Sequence, residues 1–102
     1  MELEESLIEI ISLSGEVKKE FLKAVKYAKN NEFAKADDIY NQADDKLIKA
    51  HLKQTELIKK EAGGEKIESS LLLTHAQDHL MTAIMLKDMT REFMDLYQKI
   101  EE

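Results

Sequence analysis

The chain has 102 residues, of which 35% are charged, and its formal net charge at neutral pH is −6. Binding to nucleic acid is not expected of an acidic chain, because phosphate contacts need clustered lysine and arginine. The chain contains no cysteine, which excludes disulfides, thiolate metal sites and cysteine nucleophiles.

The composition predicts an all-α protein with a single domain spanning residues 1–102. Proline and tryptophan are absent, glycine occurs three times, and strong helix formers dominate the rest. Met1 to Leu13 carries four glutamates where a signal peptide would be basic and then apolar, so we expect a cytoplasmic protein. No run of about 18 fully apolar residues occurs, and direct membrane insertion is not expected.

A first amphipathic helix is predicted from about Leu3 to Lys29. Gly15 lies in its middle, where glycine costs about 1 kcal/mol relative to alanine, so we expect a neighbouring helix to approach closely there. Asn30 and Asn31 are predicted to end this helix and to cap the next. The inner face follows alternating steps of three and four residues: Leu3, Leu7, Ile10, Ser14, Val17, Phe21, Ala24 and Ala28.

A second helix is predicted from about Glu32 to Ala62, and Gly63 and Gly64 then form a turn or flexible loop. Its inner face is rich in small residues, which allows neighbouring helices to come close. The positions on this face are Phe33, Ala36, Tyr40, Ala43, Leu47, Ala50, Gln54 and Leu57.

A third helix is predicted from about Ile67 to Ile100, with Ser69 or Ser70 as its cap or with Glu65 to Glu68 as its first turn. Three long helices joined by short loops form an antiparallel up-down-up bundle. In the last third of this helix, the residues expected to point inward are Phe93, Leu96, Tyr97 and Ile100.

The middle of the third helix, Leu71 to Met89, is apolar on all sides. Between Glu68 and Lys87 the only charged side chain is Asp78. A helix with this pattern must be surrounded by protein, which a single copy of a short chain cannot supply. We therefore expect self-association with the third helices packed at a shared axis, as a trimer before a dimer.

A polar cluster interrupts this apolar stretch. His75, Asp78, His79 and Thr82 are spaced to lie on one helix face. Three interpretations are open at this point: a polar cluster that sets the register of an interface, a metal site, or a nucleophilic histidine that takes up a phosphoryl group. An uncompensated Asp78 carboxylate would repel an incoming phosphoryl anion.

Other chemistries find little support in the sequence. The Glu-x-x-His pattern of di-iron bundles and a glycine-rich phosphate loop are both missing. His51 lies among lysines on the second helix and is interpreted as a solvated or interfacial residue.

The run LLLTHAQDHLM at Leu71 to Met81 resembles the active-site helix of the lactose/cellobiose family of IIA proteins of the bacterial phosphoenolpyruvate-dependent sugar phosphotransferase system. The resemblance is close over residues 50–86 and looser over the first helix. Further residues that carry it are Thr82, Ala83, Ala50, His51, Gln54 to Ile58, Gly64 to Lys66, Phe33, Ala34, Ala36, Ala43 and Asp95 to Tyr97.

The resemblance implies a homotrimer of three-helix bundles that relays phosphate. His75 would accept the phosphoryl group from the phosphocarrier protein HPr through its Nε2 and pass it to a cysteine of the IIB protein, which acts with the membrane IIC permease. Asp78 would meet its two symmetry mates at the trimer axis and hold a structural divalent cation, with Mg²⁺ expected. Gln77 points to a different face of its own helix and is a candidate to assist a neighbouring subunit's site, whereas His79 shares the face of His75 and is a candidate to line the site.

Two further points stay open in the sequence. A non-enzymatic helical adaptor is the alternative function, because the pattern of Phe33, Ala36, Tyr40 and Ala43 also suits helical-hairpin interaction modules. The sugar is not encoded here, since IIC largely selects it in this family; cellobiose, lactose and chitobiose are all compatible.

Overall fold

The computed structural model describes residues 2–102, and the regular structure in that range is entirely α-helical. Helix α1 spans Glu2–Lys29, α2 spans Phe33–Ala62 and α3 spans Leu71–Glu101. The three helices form a slender antiparallel bundle with extents of 54 × 20 × 19 Å. None of them, within the part of the chain described, carries an apolar stretch of the length needed to cross a membrane.

Helix α1 is the centre of the bundle. It packs along both α2 and α3, whereas α2 and α3 contact each other little, and a hollow lined by residues of both lies between those two helices. The buried residues of α1 follow the periodicity read from the sequence: Leu7, Ile10, Ser14, Val17, Phe21, Ala24 and Ala28. On α2 the small residues Ala36, Ala43 and Ala50 are fully buried, which brings the α2 backbone close to its neighbours.

The turn between α1 and α2 is formed by Asn31, as the sequence predicted. Its φ of 63° lies in the left-handed region, which asparagine tolerates better than most residues. The predicted capping of α2 by asparagine is wrong. Glu32 occupies the N-cap position and makes no capping hydrogen bond through its side chain.

Helix α3 begins at Leu71, later than the predicted start at about Ile67, and of the two serines predicted as alternative caps Ser70 is the N-cap. Ser70 has an extended backbone, and its side-chain oxygen accepts a hydrogen bond of 3.0 Å from the amide N–H of Leu73. This N-cap defines the first turn. Residues 65–70 therefore form a connection outside the helices.

The inward face at the end of α3 also differs from the prediction. Thr90 and Met94 are buried, because they continue the three-and-four spacing of Ala76 and Ala83. Of the four residues expected to point inward, Tyr97 is half-buried, and three are exposed: Phe93, Leu96 and Ile100, at 42%, 50% and 68%.

Gly15 is not a point of close helix approach. A Cβ atom added there would meet nothing within 4 Å. The expectation of a tightly packed neighbour is wrong, because the inner face of α1 passes through Ser14 and Val17, and a side chain at Gly15 would lie beside that face in open space.

Lysine–carboxylate pairs bridge the helices along the bundle. Lys46 pairs with Glu16 and Glu20 of α1, Lys53 of α2 pairs with Glu9, and Lys87 of α3 pairs with Asp44. Partly exposed pairs of this kind contribute little to stability. Each of these interhelical lysines therefore has its positive charge balanced by a carboxylate.

Candidate functional site

Two histidine rings on α3 form the centre of the site. His75 and His79 are one helical turn apart, so their side chains lie on the same face. Their ring centroids are 4.5 Å apart with an interplanar angle of 89°. His75 is exposed and His79 is half-buried. His75 is therefore the ring that another protein can reach, and His79 supports it from the side of the bundle.

Lys18 of α1 contacts the supporting ring. Its Nζ lies 3.2 Å from His79 Nδ1, although the two residues are 61 positions apart in the chain. Burial is the main cause that lowers the pKa of His79, the charges of Lys18 and His75 lower it further, and Asp78 acts in the opposite direction. Burial also lowers the pKa of Lys18. The environment of His79 thus favours a neutral imidazole.

Gln77 faces another side of α3 and is held by α2. The Gln54 side-chain amide donates a hydrogen bond of 2.6 Å to Gln77 Oε1. Because this bond occupies the carbonyl oxygen, the NH₂ group of Gln77 keeps both of its protons for other acceptors. Gln77 does not contact the imidazole pair of its own chain, and its orientation is set by Gln54.

Asp78 has an exposed side chain, and its carboxylate makes no hydrogen bond or salt bridge with any residue from 2 to 102. The Thr82 hydroxyl donates to the backbone carbonyl of Asp78 at 2.9 Å and does not reach the carboxylate. No group of three or more His, Cys, Asp or Glu residues suited to a metal occurs in the described chain. One copy of the chain thus offers a single free carboxylate on this face.

The surface around the histidines is apolar. An open hollow of about 450 Å³ is lined by Leu71, Leu72 and His75. Leu71 is 86% exposed, and farther along α3 Met81 and Met85 are 55% and 63% exposed. An isolated chain would leave this row of large apolar side chains in water, which is typical of a surface that another protein covers.

The sequence singled out most of these residues but not their contacts. His75, His79 and Asp78 share a face as predicted, Gln77 faces elsewhere as predicted, and His51 is exposed on α2. Two residues in contact with the site were missed as parts of it: Lys18 was not singled out by the sequence, and Gln54 was assigned to the inner face of the second helix.

Comparison with known families gives a match over nearly the whole chain. Residues 5–98 match the model of the phosphotransferase system lactose/cellobiose-specific IIA subunit. The lichenan-specific phosphotransferase enzyme IIA component of Bacillus subtilis is 45% identical over 101 residues, covering 99% of this chain and 92% of that protein. The lactose-specific EIIA component of Streptococcus mutans is 41% identical over 91 residues, covering 89% and 88%.

Solved structures show the same fold. The cellobiose-specific enzyme IIA of Bacillus anthracis superimposes with a TM-score of 0.91 at 44% identity, over 95% of this chain and 89% of that one. The chitobiose IIA protein from the Escherichia coli phosphotransferase system, solved in complex with HPr, gives a TM-score of 0.86 at 38% identity. That alignment covers 100% of this chain and 99% of the other.

Proposed function

The chain belongs to the lactose/cellobiose-specific IIA family of the phosphotransferase system, and from this membership we propose that it carries its phosphoryl group on Nε2 of His75. The protein is a phosphotransferase component of sugar uptake. The observation that carries the proposal is the exposed His75 ring, which lies beside an apolar hollow and against a half-buried second imidazole.

The three histidines differ in their fitness as a phosphoryl carrier. His79 is half-buried, and its Nδ1 already has Lys18 as a partner. His51 is exposed on α2 but lies outside the imidazole pair and the apolar row of α3. Of the three, only His75 combines an accessible ring with a contact to a second imidazole and with the apolar row of α3.

The chemistry is a pair of displacements at phosphorus. In the first, the lone pair of His75 Nε2 attacks the phosphorus of phospho-HPr, and the bond to the donor atom breaks with its electrons returning to the donor. In the second, a thiolate of the IIB protein attacks the same phosphorus, and the P–N electron pair returns to Nε2. The protein contributes positioning and an electrostatic environment, as is general for phosphoryl transfer.

The partners follow from the family. HPr is the donor, which the complex of the chitobiose relative with HPr supports. The acceptor is the IIB protein, and the membrane IIC permease is an indirect partner that acts with IIB during uptake. The substrate of the whole system is a β-linked disaccharide of the cellobiose, lactose or chitobiose type. Since HPr is a cytoplasmic protein, a cytoplasmic location follows.

The assembled form is a homotrimer with the α3 helices near the axis. Two observations support this proposal: α2 and α3 contact each other little and leave a hollow between them, and α3 exposes large apolar side chains at Met81, Met85 and Met89. Covering these residues with copies of the same chain removes a large apolar area from water.

The same arrangement gives Asp78 a role. Three symmetry-related carboxylates would converge on the axis, where a divalent cation such as Mg²⁺ offsets their repulsion. The residues fit such an ion only as a trimer, because one chain supplies a single carboxylate. The cation is structural in this proposal, and phosphoryl transfer takes place on His75 away from it.

The test is radioactive labelling with phosphoenolpyruvate, enzyme I and HPr. We expect His75→Gln to take up no phosphate, while His51→Gln remains labelled and serves as the matched control. His79→Gln should also end up labelled, because His79 is not the carrier. Labelling of His75→Gln would overturn the assignment. The alternative function, a helical adaptor without phosphoryl transfer, has no structural observation in its favour, and loss of His75 would leave it unaffected.

A further inference from the structure

The lysine that reaches the imidazole pair differs from the other interhelical lysines. Lys46, Lys53 and Lys87 each pair with a carboxylate of another helix. Lys18 is half-buried, and within residues 2–102 its only polar partner is His79 Nδ1, at 3.2 Å. Its positive charge is therefore not balanced by a carboxylate, although it lies at the phosphoryl site.

The contact also determines how His79 is protonated. An ammonium group has donors only, so the nitrogen that it contacts must accept. Nδ1 of a neutral His79 is then without a proton, and the ring proton lies on Nε2. The His79 ring lies 4.5 Å from the His75 ring and perpendicular to it. The Nε2–H of His79 is therefore a hydrogen-bond donor on the side chain adjacent to the proposed phosphoryl carrier.

We propose that Lys18 is a positioning residue for phosphoryl transfer, which holds the ring of His79 so that its Nε2–H faces the phosphoryl group on His75. The inference rests on the proposed function, because it takes His75 as the carrier. A phosphoryl group adds a charge of about −1.5 to −2, and the Asp78 carboxylate on the same helix face repels it. The uncompensated charge of Lys18, acting through a polarised His79, offsets that repulsion.

The test measures transfer from phospho-HPr to the full-length protein. Lys18→Met should lower kcat roughly tenfold, the change that an interaction of ordinary hydrogen-bond strength makes in a rate. KM for phospho-HPr should stay the same, since Lys18 does not form the docking surface. Lys18→Arg keeps the charge and the donors and should restore most of the rate. Lys19→Met, at the exposed neighbouring lysine, removes the same charge without touching His79 and should keep the normal kcat.

Nitrogen NMR supplies a readout that a merely structural role would not move. The His79 Nδ1 resonance should shift in Lys18→Met, because this nitrogen loses its donor and can take up the ring proton, and it should not shift in Lys19→Met. Circular dichroism checks folding, and Lys18→Leu, which likewise has no donor, replaces the methionine variant if helical content falls.

An unchanged kcat in Lys18→Met, an equal fall in Lys19→Met, or an unmoved Nδ1 resonance would each overturn the inference. Failure of the proposed function gives a different result, namely phosphate uptake by His75→Gln. If His75 proves to be the labelled residue and Lys18→Met transfers normally, only the role of Lys18 is refuted.

Discussion

Replacing Gly15 by alanine should stabilise the protein. Gly15 lies inside α1, and an added Cβ would meet nothing within 4 Å, so the methyl group introduces no clash. Alanine is favoured over glycine in a helix interior by about 1 kcal/mol, because the unfolded glycine chain has more conformations to lose. We therefore expect Gly15→Ala to raise the free energy of unfolding by about 0.5–1 kcal/mol.

The matched control is the same substitution at Gly64. Its φ of +100° is a conformation that residues with a side chain rarely adopt. We expect Gly64→Ala to lower the free energy of unfolding by about 1–2 kcal/mol. The same glycine-to-alanine change is thus expected to stabilise the protein at position 15 and to destabilise it at position 64, because the backbone conformations of the two glycines differ.

Urea unfolding followed by circular dichroism measures both effects. All variants are compared at one protein concentration, because self-association makes the midpoint depend on it. A higher midpoint with an unchanged slope is expected for Gly15→Ala. A lower midpoint would refute the reasoning, since it would mean that another chain packs against α1 at Gly15 and leaves no space for a methyl group.

Two further predictions concern buried and axial groups. The Thr90 hydroxyl is buried and has no hydrogen-bond partner within residues 2–102. Thr90→Val, measured by urea unfolding, should therefore leave the free energy of unfolding unchanged or raise it by up to about 1 kcal/mol. A clear loss of stability would show that the hydroxyl is hydrogen-bonded. Asp78→Leu should remain a trimer when its mass is measured by light scattering. EDTA should lower the thermal stability of the unmodified protein but not that of Asp78→Leu. Dissociation of Asp78→Leu into monomers would contradict the axial position.

Local signals in the sequence predicted much of the fold. The three-and-four periodicity identified the buried face of α1, and asparagine at Asn31 marked the left-handed turn. The start of α3 was harder, because the residues before Ser70 favour a helix by composition and the cap bond to Leu73 overrides that preference. Propensity is a weak guide wherever a specific side-chain cap competes with it.

The end of α3 shows a different limit. Phe93, Leu96 and Ile100 were expected to point inward because they are large and apolar, yet the bundle buries Thr90 and Met94 instead. Apolarity marks the residues that must leave water, but it does not say whether the chain itself or another copy covers them. On a helix with two apolar faces, size cannot identify the inner one.

The candidate site was predictable where its residues lie on one helix. The spacing of His75 and His79 placed both rings on one face of α3. The contacts of Lys18 with His79 and of Gln54 with Gln77 join different helices. Such contacts depend on how far each helix is rotated and shifted against its neighbour, which the periodicity of one helix does not specify.

Locating the phosphoryl group on the unmodified protein tests the assignment of His75 as the carrier most directly. The ¹⁵N-labelled chain is phosphorylated with phosphoenolpyruvate, enzyme I and HPr, and the coupling between phosphorus and the histidine ring nitrogens is measured by NMR. We expect one coupled nitrogen, Nε2 of His75. Coupling to a nitrogen of His79 or His51, or to Nδ1 of His75, would contradict it.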